Sequence, residues 1–224
     1  MELNADFTKR VVVHGDETEW LSSPMPGVDR RMLDRIGDEV ARATTIVRYA
    51  PGSNFSSHVH DGGEEFIVLE GVFQDEHGDY PAGSYIRNPP TSSHTPGSAP
   101  GCVIFVKLWQ FDLADRTPVK IDMNKMGSVL SAERPDVSIM PLFKDDRETV
   151  QMETWDADTT IELDTPDGAE LLVLGGTFTE GDDTLRYQSW LRLPVGGQLK
   201  AKVGPNGAKV WIKSGHLRHV EAPK

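Results

Sequence analysis

Shifting the 224-residue sequence by 105 positions superimposes its second half on its first. Glu65-Phe66-Ile67-Val68-Leu69-Glu70-Gly71-Val72-Phe73 falls on Glu170-Leu171-Leu172-Val173-Leu174-Gly175-Gly176-Thr177-Phe178. Without a gap, the same shift sets Ser84-Tyr85-Ile86-Arg87 on Ser189-Trp190-Leu191-Arg192 and Pro89 on Pro194. One inserted residue then brings Gly101-Cys102-Val103-Ile104-Phe105 onto Gly207-Ala208-Lys209-Val210-Trp211. A chance match does not keep register across a loop and two apolar segments. The repeat therefore predicts two tandem domains of one topology, divided as residues 1–125 and 126–224.

The segments that repeat are strand-like. Thr44 to Tyr49, Glu65 to Phe73, Gly83 to Asn88 and Cys102 to Leu108 are rich in β-branched and aromatic residues and bounded by Gly or Pro. Gly52-Ser53, Gly62-Gly63 and Gly78-Asp79 supply turns. Val28, Met32, Ile36 and Val40 are four apart and suit a helix, while Ile36-Gly37-Asp38-Glu39 suits a hairpin turn. The segment from Phe111 to about Met126, interrupted by Asp112, Asp115, Pro118 and Asp122, reads as a linker. The fold class is all-β.

His58-Val59-His60, Glu64 and His94 carry the chemistry. Side chains alternate along a strand, so His58 and His60 project to one side. The Asp61-Gly62-Gly63 turn can fold Glu64 back beside them, and His94 adds a third imidazole. Three nitrogens and a carboxylate are donors that borderline divalent metals accept. Glu65 is adjacent, but it recurs as Glu170 in the second half, which suggests a scaffold role.

Gly52, five residues, His58-x-His60, three residues, Glu64, six residues and Gly71 together match the first cupin motif without a gap. Gly83, five residues, Pro89 and His94 resemble the second motif, with Thr91 where glycine is usual and Ser98 where asparagine is usual. The chain therefore resembles the cupin superfamily, which implies two tandem cupin barrels (double-stranded β-helix, or jelly-roll). Along residues roughly 20–112 it is similar to the ChrR-type cupin, the metal-binding sensory half of a zinc anti-sigma factor. The residues behind that similarity include Pro26-Gly27-Val28, Arg42-Ala43-Thr44, Arg48-Tyr49-Ala50-Pro51-Gly52, Gly63-Glu64-Glu65, Gly71-Val72-Phe73, Gly83-Ser84-Tyr85 and Gly101-Cys102. The resemblance favours the hairpin over the helix at residues 28–40. It implies zinc as the metal and a role in the response to singlet oxygen and organic hydroperoxides. Sigma-factor binding is not expected, because the roughly twenty residues before the barrel contain no cysteine to build the separate helical zinc domain of that family.

Across the repeat His58 meets Leu163, His60 meets Thr165, Glu64 meets Ala169 and His94 meets Leu199. The second half keeps the scaffold and loses every donor. One divalent ion per chain is expected, held by His58, His60, Glu64 and His94: zinc, or else iron, manganese or nickel. Leu163 and Leu199 would fill apolar space, leaving the second barrel to pack between halves or in a homodimer. Four ligands around tetrahedral zinc would close the site and suit sensing; the same donors around an octahedral metal would leave room for a small-molecule ligand, as in a dioxygenase acting on a diketone-like or aromatic substrate. The residues do not decide between sensor and enzyme.

The other chemistry-bearing residues have plainer readings. His14, His77, His216 and His219 are expected to be structural. Cys102 should be a small buried residue at a strand start, as Ala208 is in the other half. Arg87 and Arg192 recur and should hold a barrel carboxylate or cap a loop. Tyr85, Phe66 and Trp109 are candidates for the pocket mouth. A net charge of −12 opposes binding to nucleic acid or anionic membranes. One cysteine, no cationic or apolar leader and no apolar run of roughly 18 residues fit a cytoplasmic protein.

Overall fold

Period-two alternation of apolar residues, broken by glycine turns, folds the chain into two antiparallel β units in the computed structural model, which describes residues 1–223. The main sheet of the first unit runs Glu2–Leu3, Val28–Gly37, Ala41–Tyr49, Cys102–Leu108, Glu64–Asp75, Ser84–Asn88 and Val119–Asp122 in spatial order. A separate two-stranded ribbon pairs His58–Val59 with Ser93–His94. Val28, Val47, Phe66, Val68, Phe73, Ile86, Ile104 and Val106 fill the interior. The hairpin expected at residues 28–49 is present, and Gly37 makes its turn with φ +116°.

The second unit repeats the order with Val129–Leu130, Val137–Lys144, Thr149–Trp155, Gly197–Ser214, Ala169–Glu180, Ser189–Leu193 and Val11–His14. Strands Glu64–Asp75 and Ala169–Glu180 differ by the 105 positions that the sequence repeat gives, as do Ser84–Asn88 and Ser189–Leu193. The repeat extends to a close approach. Gly71 and Gly176 have φ +70° and +66°, and a side chain there would collide with the carbonyls of Gly101 and Gly207 respectively. Only glycine fits both positions.

Two boundaries differ from expectation. Asp6–Thr18 belongs to the second unit rather than to residues 1–125. Val11–His14 pairs with Ser189–Arg192, His14 Nδ1 lies 2.9 Å from Ser189 Oγ, and Arg10 lies 2.7 Å from Asp183. A β-branched run such as Val11-Val12-Val13 predicts a strand but carries no address for its partner. The expected linker also contributes a strand, since Val119–Asp122 pairs with Ser84–Arg87 on the sheet edge of the first unit. Its alternation of Val119 and Ile121 with Lys120 and Asp122 is too short to stand out among the flanking acids and proline. No helix is long and apolar enough to cross a membrane among the described residues.

Candidate metal centre

The ribbon sets the site by register. His58 and His94 are direct cross-strand partners. Two residues on, His60 donates its backbone N–H to the Ser92 carbonyl and accepts from Thr91, which holds the strand end against the loop carrying His94. Thr91 has φ +74°, close to the +77° of Gly196 at the equivalent place in the second unit. The left-handed turn typical of glycine is therefore kept by a threonine. Gly62 and Gly63 then reverse the chain, because the rings of Trp109 and Phe111 press where their side chains would be. That reversal returns Glu64 to the histidines.

Three imidazoles converge as expected. Their ring centroids are 4.6–5.0 Å apart, and one nitrogen of each falls within a 4.8 Å group. Glu64 Oε2 stands 3.5 Å from His60 Nε2 and 3.6 Å from His94 Nε2. Donors each about 2.1 Å from one ion stand about 3.0–3.4 Å apart at right or tetrahedral angles, so the Glu64 spacings to His60 and His94 are within a few tenths of an ångström of a shared shell, while the 4.8 Å group itself comprises the three imidazoles without Glu64. His60, Glu64 and His94 are buried and His58 is exposed. Among the described residues no other group of three such side chains meets this criterion.

The surroundings orient the donors. His94 Nδ1 lies 3.3 Å from Asp75 Oδ2, and a proton donated there leaves the Nε2 lone pair free toward Glu64. His58 Nδ1 likewise faces the Ser56 carbonyl at 3.3 Å. Asn88 donates to Glu64 Oε2 at 3.1 Å. His60 Nε2 is buried without a hydrogen-bond partner. A buried lone pair with no donor is costly alone and is what an ion would satisfy. Burial pulls His60 down to about 4 and lowers His94, so both are held in the neutral form that ligation requires. The same burial raises Glu64, outweighing the lowering effects of His94 and Asn88.

Asp75, Asn88 and Ser56 escape a motif reading. Asn88 had a detectable signal, because its repeat partner is Leu193, lost together with Glu64, which becomes Ala169. Asp75 had none, since its partner Glu180 is also acidic.

In the second unit Leu163 and Leu199 occupy the same cross-strand register as His58 and His94. Leu199 and Ala169 are fully buried in the core, with Leu163 packed against it. Glu65 is structural: buried, it accepts from Tyr85 Oη at 2.5 Å and faces Arg87, which bonds Asp115 at 3.0 Å. Glu170 repeats the role with Trp190 and His216. Cys102 is buried at its strand start. Phe66 and Tyr85 are core residues, and of the three aromatic candidates only Trp109 lines the pocket.

That pocket is a cavity of about 360 Å³ beside the histidines. Val28, Val47, Phe55, Ile104, Val106 and Trp109 form much of its wall, while His58, His60 and Glu64 face it. The size and mainly apolar lining suit a small molecule.

Residues 8–112 match the family profile described as ChrR Cupin-like domain. No protein of curated function matches the chain in sequence. In structure it is similar to a candidate dioxygenase from Nostoc punctiforme, at 15% identity and TM-score 0.74, covering 97% of this chain and 88% of that one. It also resembles the bacterial pirin YhhW from Escherichia coli in complex with nickel(II), at 13% identity, TM-score 0.65 and coverages of 92% and 98%. A mutant of oxalate decarboxylase from Bacillus subtilis aligns at 9% identity and TM-score 0.64, over 95% of this chain and 78% of that one. At such identities the structural likeness establishes the fold alone. A ChrR cupin-like domain therefore matches residues 8–112, and the chain as a whole shares the fold of these structures.

Proposed function

We propose that the first barrel holds one divalent metal ion through His58, His60, Glu64 and His94 and uses it to bind and activate a small molecule, in the manner of a mononuclear non-haem metal enzyme. The observation that carries this reading is the cavity of about 360 Å³ onto which three of the four donors open. A closed structural zinc site needs no such space. When bound, the ion would supply Lewis-acid or redox activation. The chain's own residues do the rest. Asp75 and Ser56 hold the proton of His94 and His58 on Nδ1, Asn88 orients Glu64, and the apolar wall excludes water around the ligand.

A second reading is a metal-dependent sensor in a stress response, favoured by the ChrR cupin-like match and by the zinc implied by that resemblance. Cobalt(II) substitution separates the two. Weak absorption bands that shift on adding small chelating acids support the open centre, whereas intense tetrahedral bands indifferent to them support the closed zinc sensor. His94→Leu, which copies Leu199, should lose the ion and keep the fold. Retention of a full equivalent with unchanged affinity would remove His94 from the ligand set.

A further inference from the structure

Arg30 is the cationic side chain in the wall of the cavity. It lies two residues from the buried Val28 on one strand, so both face the barrel interior, while Arg31 faces outward and stacks on Trp20 at 4.2 Å. Among the described residues none hydrogen-bonds to or ion-pairs with the Arg30 guanidinium, although it is half-buried in a chain of net charge −12. Arg48, nearby on the outer face, is by contrast paired to Asp29 at 2.7 Å. Of the carboxylates lining the cavity, Glu39 and Asp61 are exposed, and the buried Glu64 is turned to His60 and His94.

The second barrel supplies an internal comparison. Arg30 pairs in register with Val47, and Val47 with Ile104. The equivalent ladder there is Ile139, Glu153 and Val210. Ile139 packs against the core. The place of Val47 is taken by Glu153, neutralised by Arg134 at 2.9 Å. The barrel that replaces His58, His60, Glu64 and His94 thus also replaces Arg30 by an aliphatic residue, and keeps its interior charge paired. Among the described residues, an unmatched cation lines the cavity only in the barrel with the imidazole cluster. A cation in a mainly apolar wall carries a cost that a ligand anion repays, and a guanidinium suits a carboxylate bidentately.

We propose that the cavity takes a small organic carboxylate, its anionic group on Arg30 and its apolar body along Val28, Val47, Ile104 and Val106, with the remaining end toward the histidines. This assignment rests on the small-molecule reading of the same site, but the Arg30 contact does not require the ion.

The test uses 3-phenylpropionate and its neutral isostere 3-phenylpropionamide, with binding followed by calorimetry on the full-length chain. The acid should bind the wild-type protein about tenfold or more tightly than the amide, as expected for one charge-assisted pair. Arg30→Met, which keeps the bulk, should abolish the preference, and Arg30→Lys should restore part of it. The same preference should persist in His94→Leu, which separates this proposal from the metal assignment: loss of metal with retained preference leaves Arg30's role intact. Equal affinity for acid and amide, a preference that survives Arg30→Met, or no binding of the acid overturns the proposal.

Discussion

Asp75→Asn is the substitution whose consequence follows most directly from the geometry. Asp75 uses its two oxygens separately. Oδ1 accepts from the His77 backbone N–H at 2.8 Å and from Tyr80 Oη at 3.2 Å, while Oδ2 faces His94 Nδ1 at 3.3 Å. An asparagine can keep its oxygen at the first position and present its amide –NH2 at the second. A donor facing Nδ1 favours the tautomer with the proton on Nε2, the atom aimed at the ion, so ligation must first displace that proton. Loss of such an outer partner costs about 10–100-fold in metal affinity. The 3.3 Å separation is longer than the roughly 2.7–2.9 Å of a strong charge-assisted bond. The lower end is therefore expected: about tenfold, or about 1.4 kcal/mol. Competition with a chromophoric chelator for zinc or cobalt near neutral pH reads this directly, and thermal melting of the metal-free proteins should differ little because the Oδ1 contacts survive. Unchanged affinity would show that Asp75 does not set the His94 tautomer. A fall in metal-free stability equal to the fall in binding energy would show that its role is only structural.

Four further outcomes are expected. His60 sits at about 4 in the fold against 6.5 as an ordinary histidine, so the unfolded chain binds its proton first. Its contribution to metal-free stability is fully present above pH about 6.5 and is lost toward pH about 4, by up to roughly 3 kcal/mol. Because the raised Glu64 acts in the opposite sense, the measurement is the denaturation difference between wild type and His60→Leu across that window; a flat difference would refute it. Metal retention should fall steeply over the range roughly pH 6 to 4, followed by dialysis and elemental analysis, as protons compete for three imidazoles. Arg87→Met should cost about 3–5 kcal/mol in urea unfolding, because it removes the buried guanidinium that faces Glu65 and pairs with Asp115; a loss under about 1 kcal/mol would contradict the ion-pair account. Burial pushes the Cys102 thiol up to about 11, so thiol reagents at pH about 8 should react on the order of a hundredfold more slowly than with the unfolded chain.

How much of this was legible in the sequence depended on the range of the interaction. His58, His60, Glu64 and His94 could be placed because a period-two strand, a double-glycine turn and one register pair fix their relation, and each is expressed in local spacing. The repeat likewise exposed the loss of donors at Leu163, Thr165, Ala169 and Leu199. Strand identity was readable where β-branched runs are long, as in Glu65 to Phe73, and failed for Val119–Asp122, where four residues carry little pattern. Long-range pairing was not readable at all. Nothing in Val11–His14 says that it joins a strand 175 residues or more away, since any antiparallel edge would satisfy its backbone. Asp75 and Arg30 acquire meaning only from what lies across the barrel. Asp75 has an acidic counterpart, and Arg30 falls outside the aligned segments, so neither stands out from the chain's other charges.

The most direct examination of the metal site is anomalous diffraction at the absorption edge of the ion carried by crystals of the full-length protein grown without added metal. One peak per chain is expected, in the first barrel, within about 2.0–2.2 Å of a nitrogen from each of His58, His60 and His94 and an oxygen of Glu64. No peak between the histidines, or a peak beside Leu163 and Leu199 in the second barrel, would contradict the assignment of a single metal centre to the first.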